Sequence, residues 1–154
     1  RRDRAEPGGA SPPPRALVLY LADTSAWRRS RATESIALRW AGLLAGRELA
    51  VCVPLELELL YSARGPADYL VLRSELNALV RLPTTREAEA EALGTQRMLA
   101  ARSQHRGPKP MDLLIAATAR VHNAVLLHYD RHFDLIARAT GQPAEWLARR
   151  GSLD

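Results

Sequence analysis

The sequence predicts an α/β domain of three layers, in which a central parallel sheet is flanked by helices. Three apolar runs without polar alternation, at 16–22, 49–53 and 124–129, are typical of strands buried on both faces. Between these runs, apolar residues recur at helical spacing. Strands that alternate with helices are most readily joined by right-handed crossovers onto one parallel sheet. A chain of 154 residues has the length for one such core.

Local signals place each element in turn along the chain. Gly46 and Gly141 follow helical stretches and are suited to ending them, and Pro54 is suited to the first turn of a helix. Thr24 or Ser25 is expected to cap a helix after the first strand. The predicted order is strand 16–22, helix 32–45, strand 49–53, a helix from Pro54 to about Arg64, helix 67–81, a helix from Thr84 or Thr85 to about Ser103, a helix opened by Asp112, strand 124–129, helix 131–140 and a short edge strand at 145–147.

The composition bounds the class of protein. Residues 1–14 are rich in proline and glycine, so a flexible tail is expected there, followed by one domain over 15–150. Cys52 is the single cysteine, which excludes an internal disulfide. No apolar run has the length of about 18 residues that a membrane span requires, and the chain is predicted to be cytoplasmic. The formal net charge of +5 is compatible with a nucleic-acid partner.

Four acidic residues lie at positions that a parallel sheet would place at its ligand-binding edge. Asp23 and Asp130 follow apolar strands, Asp112 opens an apolar helix, and Glu58 lies in an otherwise apolar helix. The carboxyl ends of the strands in such a sheet share one edge, which is where ligands bind. Oxygen ligands without cysteine or histidine partners favour Mg²⁺ or Mn²⁺. The chemistry implied is metal-assisted hydrolysis of a phosphodiester.

Each acid also has an ordinary structural explanation. Asp112 and Asp130 are suited to capping helices, Asp23 to a turn, and Glu58 to a solvated helix face. Glu56 is the rival of Glu58, and the two side chains are about 200° apart around a helix, so one face cannot hold both.

Other residues near these acids have two interpretations. Thr24 and Ser25 could orient Asp23 or a water on the metal, or simply cap a helix. Arg28 and Arg29 could meet nucleic-acid phosphates or be ordinary surface residues. Asp134, one turn after Asp130, is expected to act at most indirectly.

Four segments together resemble the PIN-domain ribonucleases, and among them the VapC-type toxins of type II toxin–antitoxin pairs. The segments are LADTSAW, ELLYSAR, MDLLIAATA and LLHYDRHFDLIA, within residues 16–147. The resemblance assigns the family's acids to Asp23, Glu58, Asp112 and Asp130. It selects Glu58 over Glu56 because Ser62 takes the small-residue position of the family pattern, where glycine is frequent.

The resemblance implies a PIN-like fold and a Mg²⁺-dependent endoribonuclease that acts as a toxin. It also implies an RNA substrate, a cognate antitoxin protein and a homodimer. One alternative is a catalytically idle interaction domain that keeps the PIN fold. Another is a receiver-type signalling domain, but that class needs a lysine after a late strand, and Lys109 precedes a helix.

Overall fold

The computed structural model describes residues 17–153, which form seven helices and five strands. The strands and helices that the sequence predicts occur in the predicted order, with one further strand at 80–81. The expected flexible tail, residues 1–14, lies outside the described residues. The elements are β1 (Tyr20–Ala22), α1 (Thr24–Arg29), α2 (Glu34–Ala45), β2 (Leu49–Val51), α3 (Val53–Tyr61), α4 (Pro66–Asn77), β3 (Val80–Arg81), α5 (Arg86–Ala100), α6 (Pro110–Val121), β4 (Val125–His128), α7 (His132–Thr140) and β5 (Ala144–Trp146).

All strands of the sheet are parallel, in the order β3-β2-β1-β4-β5. The chain moves outward from β1 through β2 to β3, crosses to the other side of β1 to form β4, and ends at β5. The direction of winding therefore reverses between β1 and β4, where Ala22 is in register with Leu127. Clefts in parallel sheets form at such a reversal, beyond the carboxyl ends of the two strands.

Helices cover both faces of the sheet, which confirms the three-layer architecture. Side chains alternate between the two faces along each strand, so Leu21 and Leu126 enter the larger apolar cluster with α3 to α7. Their neighbours Ala22 and Leu127 enter the smaller cluster with α1 and α2. No helix of residues 17–153 combines the length and the apolar character that crossing a membrane requires.

Three details differ from the sequence-based expectations. The first strand is shorter than 16–22, because Leu17 and Val18 are exposed and only Tyr20–Ala22 pairs with its neighbours. The helix predicted over 67–81 ends at Asn77, and the next residues form β3, an edge strand too short to show its own periodicity. Asp23 caps α1 in place of Thr24 or Ser25.

Candidate active site

The four predicted acids, Asp23, Glu58, Asp112 and Asp130, line one cleft of about 760 Å³ at the carboxyl ends of β1 and β4. They come from four different places in the chain: the end of β1, the middle of α3, the first turn of α6 and the loop after β4. The sheet reversal and the crossovers around it bring these places together. The structure thus assembles the predicted set.

The two carboxylate oxygens of Asp23, which lines the cleft, have different surroundings. Its Oδ2 accepts a hydrogen bond of 2.8 Å from the backbone N–H of Ser25, which caps α1. Its Oδ1 is buried and has no hydrogen-bond partner. Burial raises the pKa of Asp23, against the lowering effect of hydrogen bonds from Ser25 and Thr24. A buried oxygen without a donor is costly unless a ligand binds it.

Asp112 is the third residue of α6, since the helix begins at Pro110 and not at Asp112 as expected. Its Oδ2 accepts a 2.7 Å hydrogen bond from the backbone N–H of Lys109. Burial, followed by the negative charges of Asp23, Glu58 and Asp130, raises the pKa of Asp112 to about 6. The four carboxylates are therefore close enough to repel one another.

The raised pKa of Asp112, caused first by burial and then by the neighbouring carboxylates, predicts an unusual pH dependence of the metal-free protein. The pKa of Asp112 is about 6 in the fold and about 3.9 in an unfolded chain, so the folded state holds its proton more tightly. The free energy of unfolding is then expected to fall as pH rises from about 4 to about 6, by roughly 1–2 kcal/mol. Asp112→Asn should remove most of this decrease, because the amide carries no charge.

Urea unfolding in the presence of a chelator, at several pH values across this range, measures the effect. The comparison is between the wild type and Asp112→Asn. Parallel pH profiles of the two proteins would show that Asp112 is not the group that titrates.

Glu58 faces the cleft, and Glu56 does not. Glu58 Oε2 accepts a 2.8 Å hydrogen bond from the hydroxyl of Thr24. Glu56 lies on another side of α3 and forms a two-pronged ion pair with the guanidinium of Arg81 on β3, with one contact of 2.7 Å. Thr24 therefore contacts Glu58 and does not cap α1, a role that residue spacing alone could not indicate.

Asp130 is fixed by the first residue of α7. Its Oδ1 accepts the backbone N–H of His132 at 2.9 Å and lies 3.2 Å from His132 Nδ1. The capping alternative is thus partly realised, since one oxygen of Asp130 holds the start of the helix. Asp134 faces a different neighbour, because its Oδ1 accepts the indole N–H of Trp146 at 3.0 Å.

The donor set fits a hard divalent cation. Every acid of the cleft offers oxygen, and Asp23 Oδ1 is a buried acceptor without a donor. Within residues 17–153, no three Asp, Glu, His or Cys side chains stand close enough together to enclose an ion on their own. Mg²⁺ usually retains several water ligands and uses only one or two protein carboxylates, so the wider spacing is compatible with that ion.

The rim of the cleft adds features that the motifs did not single out. Tyr61 is 93% exposed and lines the cleft beside Leu57, Met111 and Lys109. The guanidinium of Arg29 lies 4.5 Å from the centre of the Tyr129 ring, so Arg29 is partly engaged within the protein. Tyr61 lies one helical turn after Glu58 on α3, and this spacing could have predicted that Tyr61 is on the same side of the helix as Glu58.

The chain is similar to known proteins at the level of a domain family and of one group within that family. A model of the PIN domain family matches residues 20–139, so the fold is that of a PIN domain. The chain is 40% identical over 138 residues to ribonuclease VapC18 of Mycobacterium tuberculosis, an alignment that covers 88% of this chain and 100% of that protein. It is 43% identical over 141 residues to ribonuclease VapC51 of the same bacterium, covering 88% and 97%. The chain belongs to the PIN-domain family and, within it, to the VapC group.

A solved structure supports the same fold. A chain in the DNA-bound VapBC complex of Salmonella typhimurium superposes with a TM-score of 0.70 at 17% sequence identity. The superposition covers 86% of this chain and all of that one. The resemblance deduced from the four motifs is therefore confirmed.

Proposed function

We propose that this protein is the toxin of a toxin–antitoxin pair and acts as a Mg²⁺-dependent endoribonuclease. Its relatives in Mycobacterium tuberculosis are named ribonucleases. The observation that carries the proposal is the meeting of four carboxylates in one cleft, with a buried oxygen of Asp23 left without a partner. Carboxylates that repel one another in this way are stabilised by a divalent cation.

Within this proposal, Asp23, Asp112, Asp130 and Glu58 hold the cation, either directly or through water. The chemistry that Mg²⁺ or Mn²⁺ supplies when bound is activation of a water molecule and neutralisation of phosphodiester charge. Thr24 keeps the carboxylate of Glu58 turned into the cleft through its 2.8 Å hydrogen bond. His132 does the same for Asp130.

The cations on the rim, Arg28 and Lys109, are both exposed, and neither forms an ion pair within the part of the chain that the structure describes. They are available to RNA phosphates that flank the cleaved bond. Attack of water on phosphorus with departure of the 3′ oxygen gives a 5′-phosphate and a 3′-hydroxyl, as the family resemblance implies.

The protein partner proposed is a cognate antitoxin that covers the acidic cleft, and the proposed assembly contains a toxin homodimer in the cytoplasm. The solved structure with a similar fold is a DNA-bound VapBC complex. The structural similarity gives the fold, and the antitoxin and the dimer are proposals for this chain.

The test is RNA cleavage by the purified protein after chelation, with and without added Mg²⁺ or Mn²⁺. Cleavage is expected only with the metal, and end-group analysis is expected to find 5′-phosphates. The metal should also stabilise the fold in thermal unfolding, by about 2.7 kcal/mol at a hundredfold excess over its Kd. An idle interaction domain would leave RNA intact at every metal concentration, and cleavage that persists in chelator would refute the role of the metal.

A further inference from the structure

A second cleft, of about 410 Å³, lies on the α7 side of the protein and is rich in arginine. Its walls include Arg131, Arg138 and Arg150, together with His132, Asp134 and Gln104. All three arginines are exposed. The motifs and the proposed chemistry assign no role to this cleft.

Charge in this cleft is not balanced from within the protein. Several arginines outside this cleft are paired with acids, for example Arg39 with Glu145, Arg81 with Glu56 and Arg120 with Glu91. None of the three cleft arginines forms an ion pair with a residue of 17–153.

The carboxylate that lines this cleft is already hydrogen-bonded to a neighbouring side chain. Asp134 is the one carboxylate lining the cleft, and its Oδ1 is held by the indole N–H of Trp146. Three guanidinium groups therefore face one engaged carboxylate. This excess of positive charge favours an anionic ligand.

The arginine cleft adjoins the carboxylate cleft through one residue. His132 lines the arginine cleft, and its backbone N–H and Nδ1 contact Asp130 Oδ1 at 2.9 and 3.2 Å, while Asp130 lines the carboxylate cleft. An anionic chain with one phosphodiester at the carboxylates can therefore continue directly into the second cleft. The connection between the two clefts therefore favours a chain of linked phosphates over a single small anion.

The spacing of the arginines suits a chain with repeated charges. Arg131 immediately precedes α7 and Arg138 lies in its last turn, seven residues on. Seven residues correspond to about two helical turns, or roughly 10 Å along the axis. The guanidinium of Arg150 is near the same helix and lies 5.8 Å from the centre of the Trp146 ring. Arginine side chains separated in this way can contact different phosphates, and each contact positions the strand.

We propose that Arg131, Arg138 and Arg150 form a binding site for the phosphates of the RNA strand that extends beyond the phosphodiester held at the carboxylates. The inference rests on the proposed ribonuclease function and extends it, since it assigns the path of the substrate. The site binds backbone charge, so it is expected to contribute affinity with little dependence on sequence.

The first experiment measures binding of a single-stranded RNA of about 20 nucleotides as a function of salt. An Asp23→Asn background prevents cleavage during the measurement. Each phosphate contact contributes about 0.7 to the slope of log K against log salt concentration for a single strand. Arg138→Gln is expected to reduce the slope by about 0.7, and the triple Arg→Gln variant by about 2. Arg73→Gln, an exposed arginine of α4 that lines neither cleft, is the matched control and should leave the slope unchanged.

The second experiment uses substrate length in the cleavage-competent protein. The triple variant is expected to lose kcat/KM mainly through a higher KM, and to lose more with the long RNA than with a dinucleotide, whose single phosphodiester is held at the carboxylates and leaves none for the arginine cleft. Mn²⁺ binding measured by calorimetry should match that of the wild type. Thermal unfolding of each variant shows whether it is folded.

The outcomes separate this inference from the function on which it rests. If the wild type neither binds nor cuts RNA, the proposed function fails. If the wild type cuts RNA and the arginine variants keep its salt slope and its KM, the arginine site is refuted. Unchanged RNA binding combined with weaker binding of the antitoxin would likewise overturn it, and would assign the cleft to a protein partner.

Discussion

Asp23→Asn is expected to lower the rate of RNA cleavage by about 10³-fold or more, because it removes the charge of a carboxylate that we propose helps to hold the metal. The fold should tolerate the change. An asparagine oxygen can still accept the Ser25 N–H that Asp23 accepts at 2.8 Å, so the cap of α1 is kept. The variant also lacks a buried negative charge that repels Glu58. Its stability without metal should therefore equal or exceed that of the wild type.

Asp112→Asn is expected to behave in the same way, since an amide oxygen can keep the contact with the Lys109 N–H. Initial cleavage rates at limiting Mg²⁺ and thermal unfolding in chelator measure the two effects. Asp68→Asn, on α4 and outside the cleft, is the matched control for loss of a carboxylate. Full activity of either cleft variant at limiting Mg²⁺ would remove that residue from the proposed site.

Glu58→Gln and Glu56→Gln are expected to give opposite results. Glu58→Gln should lower cleavage by about 10²-fold or more, because Glu58 faces the cleft that we propose binds the metal, and Thr24 orients it there. Glu56→Gln should leave cleavage nearly unchanged. It should lower stability by about 1 kcal/mol, because it weakens the half-exposed ion pair with Arg81.

The measurements for this pair are cleavage rates and urea unfolding under the same conditions. The two variants are matched in chemistry and lie two positions apart on α3, so they control for each other. Equal losses of activity in both would mean that the side of α3 facing the cleft has been misassigned.

The sequence was sufficient to predict the centre of the sheet, because β1, β2 and β4 lie in continuous apolar runs that are typical of a parallel sheet covered on both faces. It missed β3, since Val80–Arg81 has two residues and follows a helix that also ends in apolar positions. Periodicity cannot resolve so short an element. The first strand was predicted too long because exposed Leu17 and Val18 look the same in sequence as the buried Leu21.

The sequence could predict the location of those site residues that directly follow a strand of the sheet. Asp23 and Asp130 follow β1 and β4, and neighbouring parallel strands bring such residues to one edge. The orientation of Glu58 depends on Thr24, 34 residues away, and that contact exists only in the folded chain. The capping function of Asp23 was missed because Thr24 and Ser25, adjacent to it, are equally good caps by residue type.

The brevity of the two edge strands has a consequence for how this protein associates with others. β3 has two residues and β5 has three, and each carries a charged side chain tied to a neighbouring helix: Arg81 to Glu56, and Glu145 to Arg39. Such edges give an incoming strand few backbone hydrogen bonds, which protects a protein from uncontrolled sheet extension and aggregation. In the described chain, growth of the sheet across neighbouring molecules is thus disfavoured. Under the proposed function, the same short edges would protect the protein from aggregation while no antitoxin covers it.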